Sequence, residues 1–225
     1  MSKLVDILTK VLAIVGGISG PWGAYTAYDA LKFKQPFDEH DQVAKSYLAQ
    51  ITSAEKRNDK GEVTRIRLLY ETYEEKWRAA RRIAQIVAPI ESLATVFLTP
   101  EESSHLNDLL VRTAEGPTNP WLSPKTLGAA YLATKDFKSA AAQLSVAAQG
   151  SKDPNALALK AAAYSELASR ATDPRIKSKY EITAAESYTA ALKMKSISAE
   201  LTGFAYANPS LKAALDHQGI KVKDL

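Results

Sequence analysis

Leu127-Gly128-Ala129-Ala130-Tyr131-Leu132-Ala133-Thr134-Lys135-Asp136-Phe137-Lys138-Ser139-Ala140-Ala141-Ala142-Gln143-Leu144 reads as two short helices joined by a turn. Lys135-Asp136 supplies the turn, with small residues such as Gly128 and Ala140 on either side of it. Alanine is abundant from Leu127 onward and only 8% of residues are aromatic. That composition favours helices packed closely through small side chains and disfavours sheet. With 46% hydrophobic residues the chain of 225 can bury a sizeable core. The expected class is all-α.

The residues Leu127-Gly128, Tyr131, Ala140, Leu144 and Ala147 resemble a tetratricopeptide repeat, with its leucine-glycine pair, its tyrosine and its alanine-x3-large and alanine positions. Pro124 stands where that family often has tryptophan, and the closing proline comes late, at Pro154. A second unit follows at nearly the same period, with Tyr164 answering Tyr131 and with Ala184, Tyr188 and Ala191 in its second helix. Ala184 arrives about ten residues later than the period demands, so both helices of this hairpin are expected to be longer than the family standard. Residues 199–225 are expected to form one or two short helices around Asn208-Pro209, with Leu211 and Leu215 facing inward as a cap on the stack.

Upstream, Gln35-Pro36-Phe37-Asp38 predicts a break, with Pro36 ending any preceding helix and Asp38 capping one that begins near residue 39. That helix should turn Val43, Tyr47, Leu48, Ile51 and Ala54 inward and end at Asn58-Asp59-Lys60-Gly61, where Gly61 can take the left-handed cap conformation. Ile66, Tyr70, Tyr73, Trp77, Ala80, Ala84 and Val87 then alternate spacings of four and three, which is a helix-packing seam, and Pro89 kinks or ends its helix. The charged residues between them read as a solvated face; Lys76, Arg78, Arg81 and Arg82 could instead dock an acidic partner or lipid head groups. This hairpin has spacing compatible with a degenerate repeat. Thr99-Pro100-Glu101-Glu102 starts a helix running to about Ala114, and Gly116-Pro117-Thr118-Asn119-Pro120 is a linker. The expected organisation is therefore an N-terminal apolar segment over 1–35, a hairpin plus short helix over 36–115, a linker over 116–122 and a repeat domain with its cap over 123–225.

No residue from Val11 to Tyr28 is charged. The span approaches the length needed to cross a bilayer core, although it is strongly apolar only from Val11 to Ile18. Three readings compete. A secretory signal would supply the basic start and apolar centre, but no small-x-small cleavage site follows. An amphipathic helix buried on the rest of the protein would use the shared face of Leu4, Ile7, Leu8, Val11 and Val15. A membrane anchor is the favoured reading, because Gly16, Gly20 and Ala24 form a small-residue stripe that lets membrane helices approach, while Trp22, Tyr25 and Tyr28 suit an interface. A membrane-associated protein with a single N-terminal anchor is expected, and its side cannot be assigned because Lys3 and Lys10 are matched by Lys32 and Lys34.

Chemistry is poorly represented. The absence of cysteine excludes disulfides, thiolate metal sites and cysteine nucleophiles. His40, His105 and His217 fall in separate elements and read as surface or capping residues. Glu102-x2-His105 has the spacing of a di-metal bundle ligand pair but occurs once, so no metal site is expected. Gly16-Gly17-Ile18-Ser19-Gly20 lacks the lysine and hydroxyl of a phosphate loop, and no nucleophile elbow occurs. Catalytic residues and cofactors are therefore expected to be none. The net charge of +4, from 29 basic against 25 acidic residues, is spread along the chain and gives no reason to expect nucleic acid as a partner. The remaining expectation is protein binding. By the family resemblance, the concave face would include Lys125, Ala129, Leu132 and Ala133; Lys125 matches the lysine with which chaperone-binding members hold a carboxylate terminus, but Ala129 replaces its asparagine. A more apolar peptide or helix is the expected partner segment. Self-association or membership of a larger membrane complex through Gly16, Gly20 and Ala24 is the alternative.

Overall fold

The computed structural model describes residues 34–94, 98–114, 122–150, 152–194 and 198–221. Among them are nine helices and no strand: α1 (Lys34–Lys56), α2 (Lys60–Glu91), α3 (Pro100–Ala114), α4 (Pro124–Ala133), α5 (Phe137–Ala148), α6 (Pro154–Arg170), α7 (Pro174–Leu192), α8 (Ser198–Ala207) and α9 (Pro209–His217). The apolar run from Val11, the small-residue stripe at Gly16, Gly20 and Ala24, and the linker around Gly116 lie outside the described residues. No described helix is long and apolar enough to cross a membrane. The chain divides into two compact units, and the division falls between Trp77 and Arg78, within α2.

In the first unit the helix predicted near residue 39 already runs from Lys34, and Pro36 sits in its first turn, where a missing N–H breaks no helical hydrogen bond. The helix therefore begins about five residues earlier than the Gln35-Pro36-Phe37-Asp38 break predicts. The turn after α1 also differs from expectation. Asn58, not Gly61, takes the left-handed conformation (φ 56°), while Gly61 lies inside α2. The Asn58 N–H donates to the Glu55 carbonyl and the Asp59 N–H to that of Ala54, the paired bonds of a Schellman cap. Asn tolerates this conformation through its short polar side chain. Ala44, Ile51 and Ala54 of α1 are buried, with Ile51, Ala54 and Ile66 clustered beside Tyr47 and Val63. Val43 and Leu48, expected inside, are 36% and 52% exposed, because the buried stripe runs one position round from them. His40 also departs from its expected surface place: its ring centroid lies 4.1 Å from that of Trp77, and Nε2 lies 2.8 Å from Glu74 Oε1.

The second unit is built of hairpins. The α2 seam continues here with Ala80, Ala84 and Val87 buried, joined by Ile83 and Ile90, and Pro89 falls in the last turn without breaking the helix before Glu91. Thr99 and Glu102 form a reciprocal capping box: Glu102 N–H donates to Thr99 Oγ1 at 3.2 Å and Thr99 N–H to Glu102 Oε2 at 3.0 Å. Helices α4 and α5 pack together, α5 packs on α6, and α6 on α7. Each of α4, α6, α7 and α9 opens with proline after a polar cap, Ser123, Asp153, Asp173 and Asn208, whose side-chain oxygen accepts a backbone N–H of the first turn. As the delayed Ala184 predicts, α6 and α7 are longer, 17 and 19 residues against 10 and 12 for α4 and α5. Helix α9 packs across α6 and α7, burying Leu211 and Leu215 completely, as the cap reading requires.

Two buried contacts fix this stack. A Cβ built on Gly128 would lie 2.4 Å from Leu144 Cγ, so α4 and α5 meet closer than any side chain at that position permits. Tyr188, with no exposed surface, donates its hydroxyl to the Leu201 carbonyl at 2.8 Å and ties α7 to α8. Burial pushes the Tyr188 hydroxyl up from 10.0 to about 12. Gly128→Ala is expected to destabilise the protein by ~1–3 kcal/mol through overpacking. In a Leu144→Ala background the same change should be neutral or stabilising, which denaturant unfolding of the four chains of the cycle measures. The Tyr188 shift has a sign that can be tested. Below pH 10 the folded and unfolded chains both keep the proton; between about 10 and 12 only the unfolded chain releases it, so this stabilisation is lost as pH rises through that window. Melting temperature followed across that range should therefore fall less steeply for Tyr188→Phe than for the parent chain.

Candidate functional site

The turn between α4 and α5 organises the surface around it. Thr134 ends α4, Lys135 adopts a left-handed conformation (φ 64°), and the N–H groups of Lys135 and Asp136 donate to the Leu132 and Tyr131 carbonyls at 3.1 and 2.9 Å. This is again a Schellman cap, with lysine at the position glycine would occupy without steric cost. Asp136 then caps α5 by accepting the Ser139 N–H at 3.2 Å. The consequence is that Lys135 projects at the turn while Phe137, two residues on, is 7% exposed and packed inward.

Two grooves meet at this turn. One, of ≈640 Å³, is lined by Pro100, Ser103, Ser104 and Asn107 of α3, Leu132 and Ala133 of α4, Lys135 and Phe137 of the turn, and Glu166 and Arg170 of α6, with Leu98 and Asn208 at its margins. The other, of ≈430 Å³, shares Lys135, Phe137 and Arg170 and continues over Lys138, Leu167, Ile176 and Tyr180 to the turn before α7. Arg170 stands between them, its guanidinium carbon 4.3 Å from the centre of the Phe137 ring and its Nε 3.9 Å from Glu166 Oε2. Stacking on an aromatic face holds a guanidinium in place while leaving its edge donors available. The carboxylates of Asp136 and Asp173 accept backbone N–H groups at helix starts.

The residues singled out from the sequence take different places. Lys125 is held by Asp153 at 2.7 Å, between the starts of α4 and α6. Ala129 has no exposed surface and so offers none to a partner, while Leu132 and Ala133, at 4% and 7%, form the floor of the larger groove. Helix α3 lies against this face: Ser103 Oγ reaches the Ala133 carbonyl at 3.5 Å. Sequence reading missed Arg170, Phe137 and the α3 wall. The lengthened α6 carries Arg170 past the end of the repeat pattern, and nothing in local spacing places α3 beside α4. No group of three potential metal-binding side chains occurs among the described residues.

Compared with protein-family models, curated proteins and solved structures, the chain matches none.

The strained turn makes a measurable claim. Lys135→Gly should raise unfolding free energy by about 1 kcal/mol, because glycine adopts the left-handed conformation without the Cβ penalty. Denaturant titration of the two chains checks it.

Proposed function

We propose that this protein is a tetratricopeptide-like adaptor or accessory subunit, tethered to a membrane through residues 1–35, that binds a segment of another protein in the groove between α3, α4 and α6 without catalysing a reaction. The observation that carries this reading is the ≈640 Å³ groove whose walls come from three successive parts of the stack. Repeat arrays bind in this manner, on a surface to which each unit contributes side chains from its first helix. The groove has an apolar floor in Leu132 and Ala133 and a polar rim in Ser103, Ser104, Asn107 and Arg170, which suits a peptide or helix of a partner. The tether rests on the uncharged Val11–Tyr28 run and the aromatic residues near its end.

A second reading draws on the spacing of Gly16, Gly20 and Ala24, by which the N-terminal segment would self-assemble or join a larger membrane complex. One experiment separates the two. The full-length protein, a chain of residues 34–225, and a full-length Asn107→Trp variant, altered at an exposed groove position, are purified from native cells in mild detergent and their companions identified by mass spectrometry. A stoichiometric companion kept by residues 34–225 and lost by Asn107→Trp is the expected result. A companion lost on truncation and kept by Asn107→Trp would transfer binding to the N-terminal segment.

A further inference from the structure

The second half of α7 carries another concave surface, which shares no residue with the two grooves above. Ile182, Glu186, Thr189 and Lys193 follow one another at spacings of four, three and four, so they form one stripe along the helix. Lys193, just past the end of α7, keeps helical backbone angles (φ −64°, ψ −16°), so the stripe continues to it. The stripe lines a groove of ≈500 Å³ to which Ile220, in the chain that follows α9, also contributes. Ile182 is 42% exposed, Glu186 and Lys193 are exposed, and Thr189 and Ala190 are partly buried. The charged residues nearby are engaged within the fold: Glu181 with His217 at 2.9 Å and with Lys177 at 4.0 Å, and Lys212 with Asp216 at 3.2 Å. Glu186 and Lys193 have no ion-pair partner among the described residues.

We infer that this face joins two copies of the chain across a two-fold axis, with their α7 helices antiparallel and the axis passing between Thr189 and Ala190. The placement of the charges selects a second copy as the occupant. Glu186 and Lys193 stand about 10 Å apart along the helix with Thr189-Ala190 midway between them. Turning a second copy end over end about that midpoint brings its Lys193 opposite Glu186 and its Glu186 opposite Lys193. A two-fold interface must be complementary to itself, and this stripe meets that condition with two ion pairs, where a parallel pairing would set like charges against each other. The small side chains at the axis let the two helices come close. The aliphatic stem of the partner's Lys193 then covers Ile182, which lies one turn from Glu186. A surface one helix wide falls at the small end of stable interfaces, so a dimer dissociating in the roughly micromolar range is expected.

The chain has no cysteine, so a single one introduced at the axis reports on this contact alone. Full-length Thr189→Cys in mild detergent is oxidised and its cross-linked fraction read on non-reducing gels, with Val146→Cys, at a 58% exposed position of α5, as the control. Thr189→Cys is expected to form a covalent dimer and Val146→Cys to remain a single chain. Adding Glu186→Lys or Lys193→Glu to Thr189→Cys sets like charges opposite each other and should lower the cross-linked fraction by roughly tenfold. Combining both reversals in one chain, or mixing the two singly reversed chains, should restore it, a recovery that loss of folding would not show. Absence of a cross-link at position 189 would overturn the proposal, as would a cross-link indifferent to the single reversals. A dimer seen by sedimentation without that cross-link would also overturn it and move self-association to another surface. The inference stands apart from the proposed binding in the α3, α4 and α6 groove, and its failure would leave that reading untouched.

Discussion

Leu144 occupies the space a side chain at position 128 would need, with its Cγ 2.4 Å from where that Cβ would stand. The contact brings α4 and α5 close, and the same economy of side chains runs through the stack: Ala129, Ala130, Ala140, Ala158, Ala161, Ala162, Ala163 and Ala184 have no exposed surface. Helices lined with alanine approach until backbone and methyl groups touch, so the interior is tight where they cross. Among the larger side chains that are fully buried, Ile83 and Ile90 lie in α2, Leu106 in α3, and Leu144, Leu159, Tyr188, Phe204, Leu211 and Leu215 in the hairpins and closing helices. Tyr188 can be among them only because its hydroxyl reaches the Leu201 carbonyl; an unpaired phenol there would carry the full cost of desolvation.

Helix ends are as regular as the crossings. Starts are made by Ser, Asp or Asn followed by proline, and several ends by Schellman caps with Asn58, Leu93, Lys135 or Gly219 in the left-handed conformation. Only one of these four is glycine. A leucine or lysine in that conformation is disfavoured by a steric cost of order 1–2 kcal/mol, which the surrounding contacts must offset. For Leu93 the offset is visible, since its side chain is 7% exposed and contributes to the core. For Lys135, an exposed residue, the gain is positional: the reversal of the chain puts its charge at the junction of two grooves.

The grooves follow from this architecture. Lengthening α6 to 17 residues carries Arg170 to the level of Phe137, where the ring supports the guanidinium. Asp136 and Asp173 cap helix starts and place their carboxylates beside Lys135, Lys138 and Arg170. The same residues thus shape the fold and tune the surface charge.

Periodicity and turn chemistry were enough to establish from sequence the all-α class, the α2 seam, the helix start at Thr99-Pro100, the two hairpins, and the inward-facing Leu211 and Leu215. Each of these rests on interactions within one turn of helix or between adjacent helices, where residue type and spacing carry the information. Local spacing erred where alternatives were nearly equivalent: it favoured Gly61 over Asn58 for the left-handed position and placed Val43 and Leu48 inside, one step round the helix from the stripe that is buried. Of the four residues expected on a concave face, Leu132 and Ala133 line the larger groove. The burial of Ala129, the tie of Lys125 to Asp153, the meeting of Phe137 with Arg170 and the wall supplied by α3 were decided by tertiary structure alone. These depend on which helices pack side by side and at what height, quantities set by the sum of many small contacts across the stack and written in no single stretch of the chain.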